Sequence, residues 1–202
     1  MAKQTEIMDV ATHPEANEYP LPSGLTLRLK PMTGQLYLDY QAKTVGFALK
    51  GGSGFSSANQ WLATQIFEVI EGDEAKPLDL ATLTMGLDFD DAAALNGIIN
   101  ELLVPPEVED GFLPSGLPIE RLKPKAQDFW KYQDALGQAM NTKTGQVSNG
   151  AVLVRANVDL AAKMFAIAGA PVTEDWLKAA DFRDTARVMT LVGERIAATR
   201  QR

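Results

Sequence analysis

Apolar and polar residues alternate over residues 25–30, which places Leu25, Leu27 and Leu29 on one face of a predicted β-strand. The segment Pro22-Ser23-Gly24 precedes this strand. Proline presets one backbone φ angle and glycine accepts a positive one, so this segment is typical of a tight turn. The pattern therefore predicts a β-hairpin near the start of the chain.

Helical spacing of apolar residues follows the hairpin and continues for about 75 residues. Thr33 is the expected N-cap of a first helix, a second helix is expected to begin near Ser57, and Asp79 caps a short third one. A fourth helix is expected to begin at Phe89. The apolar positions of the first helix are Leu36, Tyr37, Tyr40 and Phe47, and those of the second are Trp61, Leu62, Ile66, Val69 and Ile70.

The same order of segments then returns along the chain. "LPSGLTLRLKP" from Leu21 reappears as "LPSGLPIERLKP" from Leu113, and the later matches keep an offset between 92 and 98 residues. Ordered self-similarity at a nearly constant period is typical of a repeated structural unit. The matched pairs include Arg28 and Arg121, Tyr37 and Trp130, Phe67 and Phe165, Phe89 and Phe182, and Asp91 and Asp184.

The second copy is expected to follow the first with two local changes. Its first helix has Phe129, Tyr132, Leu136 and Met140 at helical spacing, and its second helix has an apolar stripe that ends at Ala168. Thr173 is the expected cap of its short helix. Pro118 lies inside its predicted strand. Because proline has no N–H to donate, this strand should be shorter or lie at a sheet edge.

These patterns predict an α+β fold that is mostly α. It consists of two tandem copies of a small domain, each a β-hairpin followed by about four helices. We expect residues 1–16 to form a flexible N-terminal segment, 17–105 the first copy, 106–110 a linker and 111–202 the second, diverged copy.

Composition excludes several classes of protein. The chain has 46% hydrophobic residues, which is ordinary for a globular protein, and it has no cysteine, so disulfide scaffolds and thiolate sites are ruled out. The first ten residues have no apolar core, so we expect no signal peptide. No apolar run approaches the roughly 20 residues of a membrane-spanning helix.

The net charge of −7 is unevenly distributed. Residues 1–105 carry −8 and residues 106–202 carry +1, and an acidic chain disfavours broad nucleic-acid binding. The last twenty residues are basic, which is favourable near a helix C-terminus. A DNA-binding regulator that uses this helix is the corresponding alternative. The arginines concerned are Arg183, Arg187, Arg195, Arg200 and Arg202.

Candidate catalytic and metal-binding groups are few. His13 is the only histidine, and it lies in the predicted flexible segment. Asp88, Asp90 and Asp91 could hold a divalent cation, but Asp91 and Asp184 recur at equivalent places, which favours acids at a helix N-terminus. The sequence therefore predicts no catalytic residues, no metal site and no cofactor. An enzyme with a carboxylate-based site is the alternative.

Tyr37 and Trp130 occupy matching places, each directly after an apolar residue of the predicted first helix of its copy. Adjacent helical positions point about 100° apart, so both members of such a pair cannot lie at the centre of one face. We therefore take Tyr37 and Trp130 as candidate partner-binding residues, since exposed aromatics are favoured as binding anchors. Packing at the edge of the core is the alternative.

Two stretches, "LPSGLTLRLKPMT" and "PLDLATLTMGLDFDDAAALNGIINELL", resemble the tail assembly chaperones of long-tailed phages. The resemblance covers residues 17–104 and extends to the second copy only through its relation to the first. It implies a non-enzymatic protein that binds the tape-measure protein, the tail-tube protein or both.

Such a protein would act in the cytoplasm of the infected bacterium and be absent from the mature virion. The resemblance implies no nucleic-acid or membrane partner. The alternative is a structural subunit of a tail or related particle.

Overall fold

The computed structural model describes residues 17–48, 54–72, 74–141 and 143–200. It is a mixed α+β fold, mostly helical, with two small antiparallel sheets, so the predicted α+β class with a majority of helix is confirmed, and the division into two tandem copies stays a prediction. The predicted flexible segment 1–16 and His13 lie outside the described residues. Within the described ranges, no helix has the length and apolar character needed to cross a membrane.

The first half of the chain forms a four-stranded sheet and three α-helices among its described residues. The strands lie in the order β1-β2-β3-β4, and every neighbouring pair is antiparallel. Its elements are β1 (Glu18–Pro20), β2 (Thr26–Leu29), α1 (Gly34–Ala48), α2 (Gly54–Ile66), β3 (Phe67–Glu71), β4 (Glu74–Pro77), a π-helical segment (Thr82–Gly86) and α3 (Phe89–Leu103).

The second half contains a smaller sheet and four α-helices among its described residues. Its sheet has three strands in the order β5-β6-β7, and an isolated bridge joins Phe112 to Pro118 ahead of β5. Its elements are β5 (Ile119–Arg121), α4 (Ala126–Ala139), α5 (Gly150–Met164), β6 (Phe165–Ile167), β7 (Ala170–Pro171), α6 (Glu174–Ala179) and α7 (Phe182–Arg200).

The predicted hairpin forms in the first half, where Leu27 is fully buried and pairs with Tyr19. Gly24 has a φ of 90°, which is why glycine is needed in this turn. In the second half, β5 begins directly after Pro118, is one residue shorter than β2 and is the end strand of its sheet. The predicted effect of Pro118, a shorter strand at a sheet edge, is confirmed.

The caps of the short helical segments are also confirmed. The Asp79 carboxylate accepts a hydrogen bond from the Thr82 N–H at 2.7 Å, and the Thr173 hydroxyl accepts one from the Trp176 N–H at 3.1 Å. Each side chain satisfies a backbone donor that has no partner inside its helix.

The second helix of each half ends earlier than the sequence predicts. Helix α2 begins at Gly54, before the expected start at Ser57, and ends at Ile66, whereas the prediction extended it to Ile70. Helix α5 ends at Met164, and Ala168 lies beyond the strand that follows it.

Periodicity explains this error. In β3, Phe67 and Val69 are buried while Glu68 and Ile70 are half-buried, which is an alternation of period two. Residues four apart lie on one face of a helix and also on one face of a strand, so the stripe fits both elements. The aromatic and β-branched residues of β3 then favour the strand.

Helix α1 lies between the two halves. It packs against α2 on one side and against α5, α6 and α7 on the other. Tyr40 belongs to the apolar core of the first half, whereas Tyr37 and Leu38 belong to that of the second. The halves are therefore joined by a packed helix as well as by residues 106–110, and the division into two domains at that linker stays a prediction.

Candidate protein-binding surfaces

A buried carboxylate ties the Pro-Ser-Gly turn to the last helix in each half. The Ser23 N–H donates to Asp91 Oδ1 at 2.9 Å, and the Ser115 N–H donates to Asp184 Oδ1 at 2.9 Å. Asp91 is 2% exposed and Asp184 is 3% exposed. The two halves therefore fix their hairpin turn with the same contact.

The acidic cluster of the first half is used in this local structure. Asp88 caps α3 by accepting a hydrogen bond from the Asp91 N–H at 2.9 Å, and Asp91 reaches back to the turn. In the part of the chain that the structure describes, no group of three or more His, Cys, Asp or Glu side chains could hold a metal ion. Asp88 and Asp91 thus have structural partners that account for their positions.

The α1 helix fits closely on a surface that α5, α6 and α7 form in the second half. The Tyr37 ring meets the Phe182 ring edge to face, with centroids 5.1 Å apart. The Gly34 N–H donates to the Ala180 carbonyl at 2.7 Å, and a Cβ at Gly34 would collide with the Leu177 carbonyl. Close backbone approach therefore requires glycine at the start of α1.

Burial at this contact changes the chemistry of Tyr37. Desolvation raises the pKa of its hydroxyl to about 12, although the hydrogen bond from the Gln41 amide acts in the opposite direction. The phenol therefore stays neutral at physiological pH, and its ring acts as an apolar anchor between the halves.

The corresponding part of the first half has exposed apolar side chains. Phe89, which the sequence matches to Phe182, is 85% exposed, whereas Phe182 is 1% exposed. Met85 is 83% exposed and Leu80 is 56% exposed. We refer to the three exposed residues Leu80, Met85 and Phe89 together as the open face.

A groove of about 180 Å³ lies between α2, the π-helical segment and α3, close in sequence to the open face. Its apolar lining includes Leu83, Leu87, Leu95 and Ile99. Apolar side chains along a groove with further large apolar residues exposed nearby are typical of protein-binding sites.

A second exposed aromatic surface lies on α4. Trp130 is 64% exposed and Phe129 is 43% exposed, and their rings meet edge to face with centroids 5.4 Å apart. Ile196 and Thr199 of α7 line a cleft beside these two rings. We call the pair Phe129 and Trp130 the aromatic pair.

The two predicted partner-binding residues therefore have different surroundings. Tyr37 is 8% exposed and is covered by the second half, so the alternative of core packing describes it better. Trp130 is accessible to a partner. A role in partner binding stays a prediction, and Trp130 is the residue whose exposure favours it.

Sequence reasoning did not single out the open face. It placed Phe89 only as the expected first residue of the fourth helix and as the match of Phe182. One signal was available: Phe89 stands between Asp88 and Asp90, and acids on both sides are unusual for a buried residue.

The basic end of the last helix is partly engaged within the chain. The Arg195 guanidinium donates to the carbonyls of Leu122 at 2.8 Å and Met164 at 3.3 Å. Arg187 lies 3.6 Å from the Glu194 carboxylate. These contacts give two of the five arginines a structural role and weaken the case for a DNA-binding helix.

Comparison of the chain with protein-family models, with curated proteins and with solved structures found no match.

Proposed function

We propose that this chain is a non-enzymatic tail assembly chaperone that binds tape-measure protein, tail-tube protein or both in the cytoplasm of an infected bacterium. The observation that carries the proposal is the exposure of large apolar side chains on two separate surfaces, the open face and the aromatic pair. Surfaces of this kind suit the temporary covering of an amphipathic helix or an assembling subunit. The resemblance of residues 17–104 to the chaperone family supplies the partner class.

We also propose that the chain is a tandem duplication of one hairpin-and-helix unit. Two features at matched places support this, and a third supports it with donors that differ by one position in the sequence match. The turn-to-helix contacts of Ser23 and Ser115 are alike, as described above. The Lys30 N–H donates to the Ile66 carbonyl and the Leu122 N–H to the Met164 carbonyl, both at 2.7 Å, although the sequence match of Lys30 is Lys123, one residue after Leu122. The Leu78 N–H donates to Phe67 and the Val172 N–H to Phe165.

Trp130→Ala tests the binding role most directly. We expect it to weaken binding of co-expressed tape-measure or tail-tube protein at least about 30-fold, as for an exposed anchor residue. We expect its melting temperature to change little, because the ring is 64% exposed. Phe112→Ala is the matched control, since this aromatic is 40% exposed and lies outside both surfaces.

Affinity is measured by calorimetry at a protein concentration where the chain is monomeric, and stability by thermal unfolding. A large fall in melting temperature with unchanged affinity would contradict the proposal and assign Trp130 to packing. Mass spectrometry of purified virions separates the chaperone from a structural subunit. Stoichiometric amounts of this chain in the particle would reject the chaperone.

A further inference from the structure

We propose that a second copy of this chain docks head to tail, with Trp130 of one copy covering the open face beside Phe89 of the next. This self-association would repeat between chains the contact that joins the two halves within one chain. It concerns the chain alone and does not rest on the proposed chaperone function.

The contact within the chain supplies the template. Helix α1 of the first half lies on α5, α6 and α7 of the second. At its centre the Tyr37 ring meets the Phe182 ring, and both are buried, at 8% and 1% exposure. One half therefore contributes an aromatic residue from its first helix, and the other contributes one from the start of its last helix.

The corresponding aromatic residues of the other two helices, on α4 and at the start of α3, are both exposed to solvent. Helix α1 begins at Gly34 and α4 at Ala126, 92 residues later, so Phe129 and Trp130 stand in α4 where Tyr37 and Leu38 stand in α1, and Phe89 stands 93 residues before Phe182. Trp130 is 64% exposed and Phe89 is 85% exposed, so neither covers the other within one chain. A second copy can supply the missing partner to each.

Charge favours the same pairing. Asp88 and Asp90 flank Phe89, whereas Lys125, Asp128 and Lys131 lie around Trp130 and leave that end of α4 with a net positive charge. Residues 1–105 carry −8 and residues 106–202 carry +1, so the head-to-tail arrangement brings a strongly acidic half to a nearly neutral one. Two acidic halves facing each other would repel.

The contact between chains should be weaker than the contact within one. Tyr37 is followed by the buried Leu38, whereas Trp130 is followed by the exposed Lys131. The charged residue makes the face of α4 more polar than that of α1, so association should be weak and should decrease as salt screens the charges.

Head-to-tail contacts are heterologous, because the two surfaces differ. Each chain bound through Trp130 still presents an open Phe89, so the assembly grows into a ring or an open chain. A symmetric dimer, by contrast, would use the same surface on both copies and stop at two.

Sedimentation velocity on the full chain tests this. We expect the weight-average mass of the wild type to exceed twice the 21.9 kDa of one chain as concentration rises to about 0.5 mM at low salt. Phe89→Glu and Trp130→Glu should each weaken association at least about 30-fold. Val104→Glu should behave as the wild type, because Val104 is 66% exposed but lies at the other end of α3 from Phe89.

Mixing the two defective variants gives the sharpest result. Phe89→Glu retains Trp130, and Trp130→Glu retains Phe89, so an equimolar mixture has one working contact. We expect a one-to-one dimer that does not grow further. Circular dichroism and thermal unfolding establish beforehand that both variants fold.

Three outcomes would overturn the proposal. One is a wild-type chain that stays monomeric to about 0.5 mM at low salt. Another is a mixture that forms no dimer although the wild type associates. The third is a Phe89→Glu variant that dimerises by itself, which would assign Trp130 to a symmetric contact.

Discussion

Phe89 and Phe182 begin the last helix in their respective halves, yet one is 85% exposed and the other 1% exposed. Helix α1 covers Phe182 through Tyr37, whereas the ring of Phe89 is open to solvent. The same residue type at the same place in the element therefore has opposite surroundings. Packing between the two halves therefore accounts for the burial of Phe182, and Phe89 is accessible to solvent without such packing.

The interior of each half does not show this difference. Ser23 and Asp91 make the same 2.9 Å contact as Ser115 and Asp184. The residue that follows strand β2 or β5 donates its backbone N–H to the carbonyl of the last residue of the second helix in its half. The distance is 2.7 Å in both halves. The halves therefore share these contacts and differ in the exposure of the phenylalanine that begins their last helix.

Truncating the two phenylalanines should give the largest contrast. We expect Phe182→Ala to lower the free energy of unfolding by about 3–5 kcal/mol, because it leaves a cavity under α1. Phe89→Ala should change it by less than about 0.5 kcal/mol, as for an exposed position. Urea unfolding of both variants measures the difference. Equal losses would show that the two positions do not differ in burial.

The glycine at the start of α1 tests how closely the halves approach each other. Gly34→Ala should cost about 3 kcal/mol, because the added Cβ meets the Leu177 carbonyl and the Thr185 side chain. Gly46→Ala is the control in the same helix, where a Cβ meets nothing. It should stabilise the chain by up to about 1 kcal/mol. A tolerated Gly34→Ala would contradict the packing of α1 on the second half.

Replacing the two buried carboxylates tests the likeness of the halves. Asp91→Ala and Asp184→Ala should each cost about 1–3 kcal/mol, because each leaves a serine N–H of the turn without its acceptor. We expect the two losses to lie within about 1 kcal/mol of each other. A chemical unfolding series measures both. A large loss for one variant and none for the other would count against a repeated unit.

Much of this fold follows from local patterns in the sequence. The turn residues, the caps at Asp79 and Thr173, and the effect of Pro118 all depend on neighbours within a few positions, and each was predicted. Strands β3 and β6 were missed, because their apolar spacing also fits the end of a helix.

The candidate surfaces could be predicted only in part. The pairing of Tyr37 with Trp130 is visible in the sequence, but their exposures of 8% and 64% are not. Burial of Tyr37 depends on Phe182, which lies far along the chain in the other half. Contacts of this kind are set by tertiary packing, which local periodicity does not contain.

Thiol reactivity at the two phenylalanine positions tests the central comparison most directly, since the chain has no cysteine of its own. Phe89→Cys and Phe182→Cys are prepared singly and treated with a thiol reagent in dilute solution, where the chains are apart. We predict that the thiol at position 89 reacts as fast as a free thiol, and the thiol at position 182 at least about 10-fold more slowly, because it reacts only when α1 opens. Equal rates at the two positions would contradict the account.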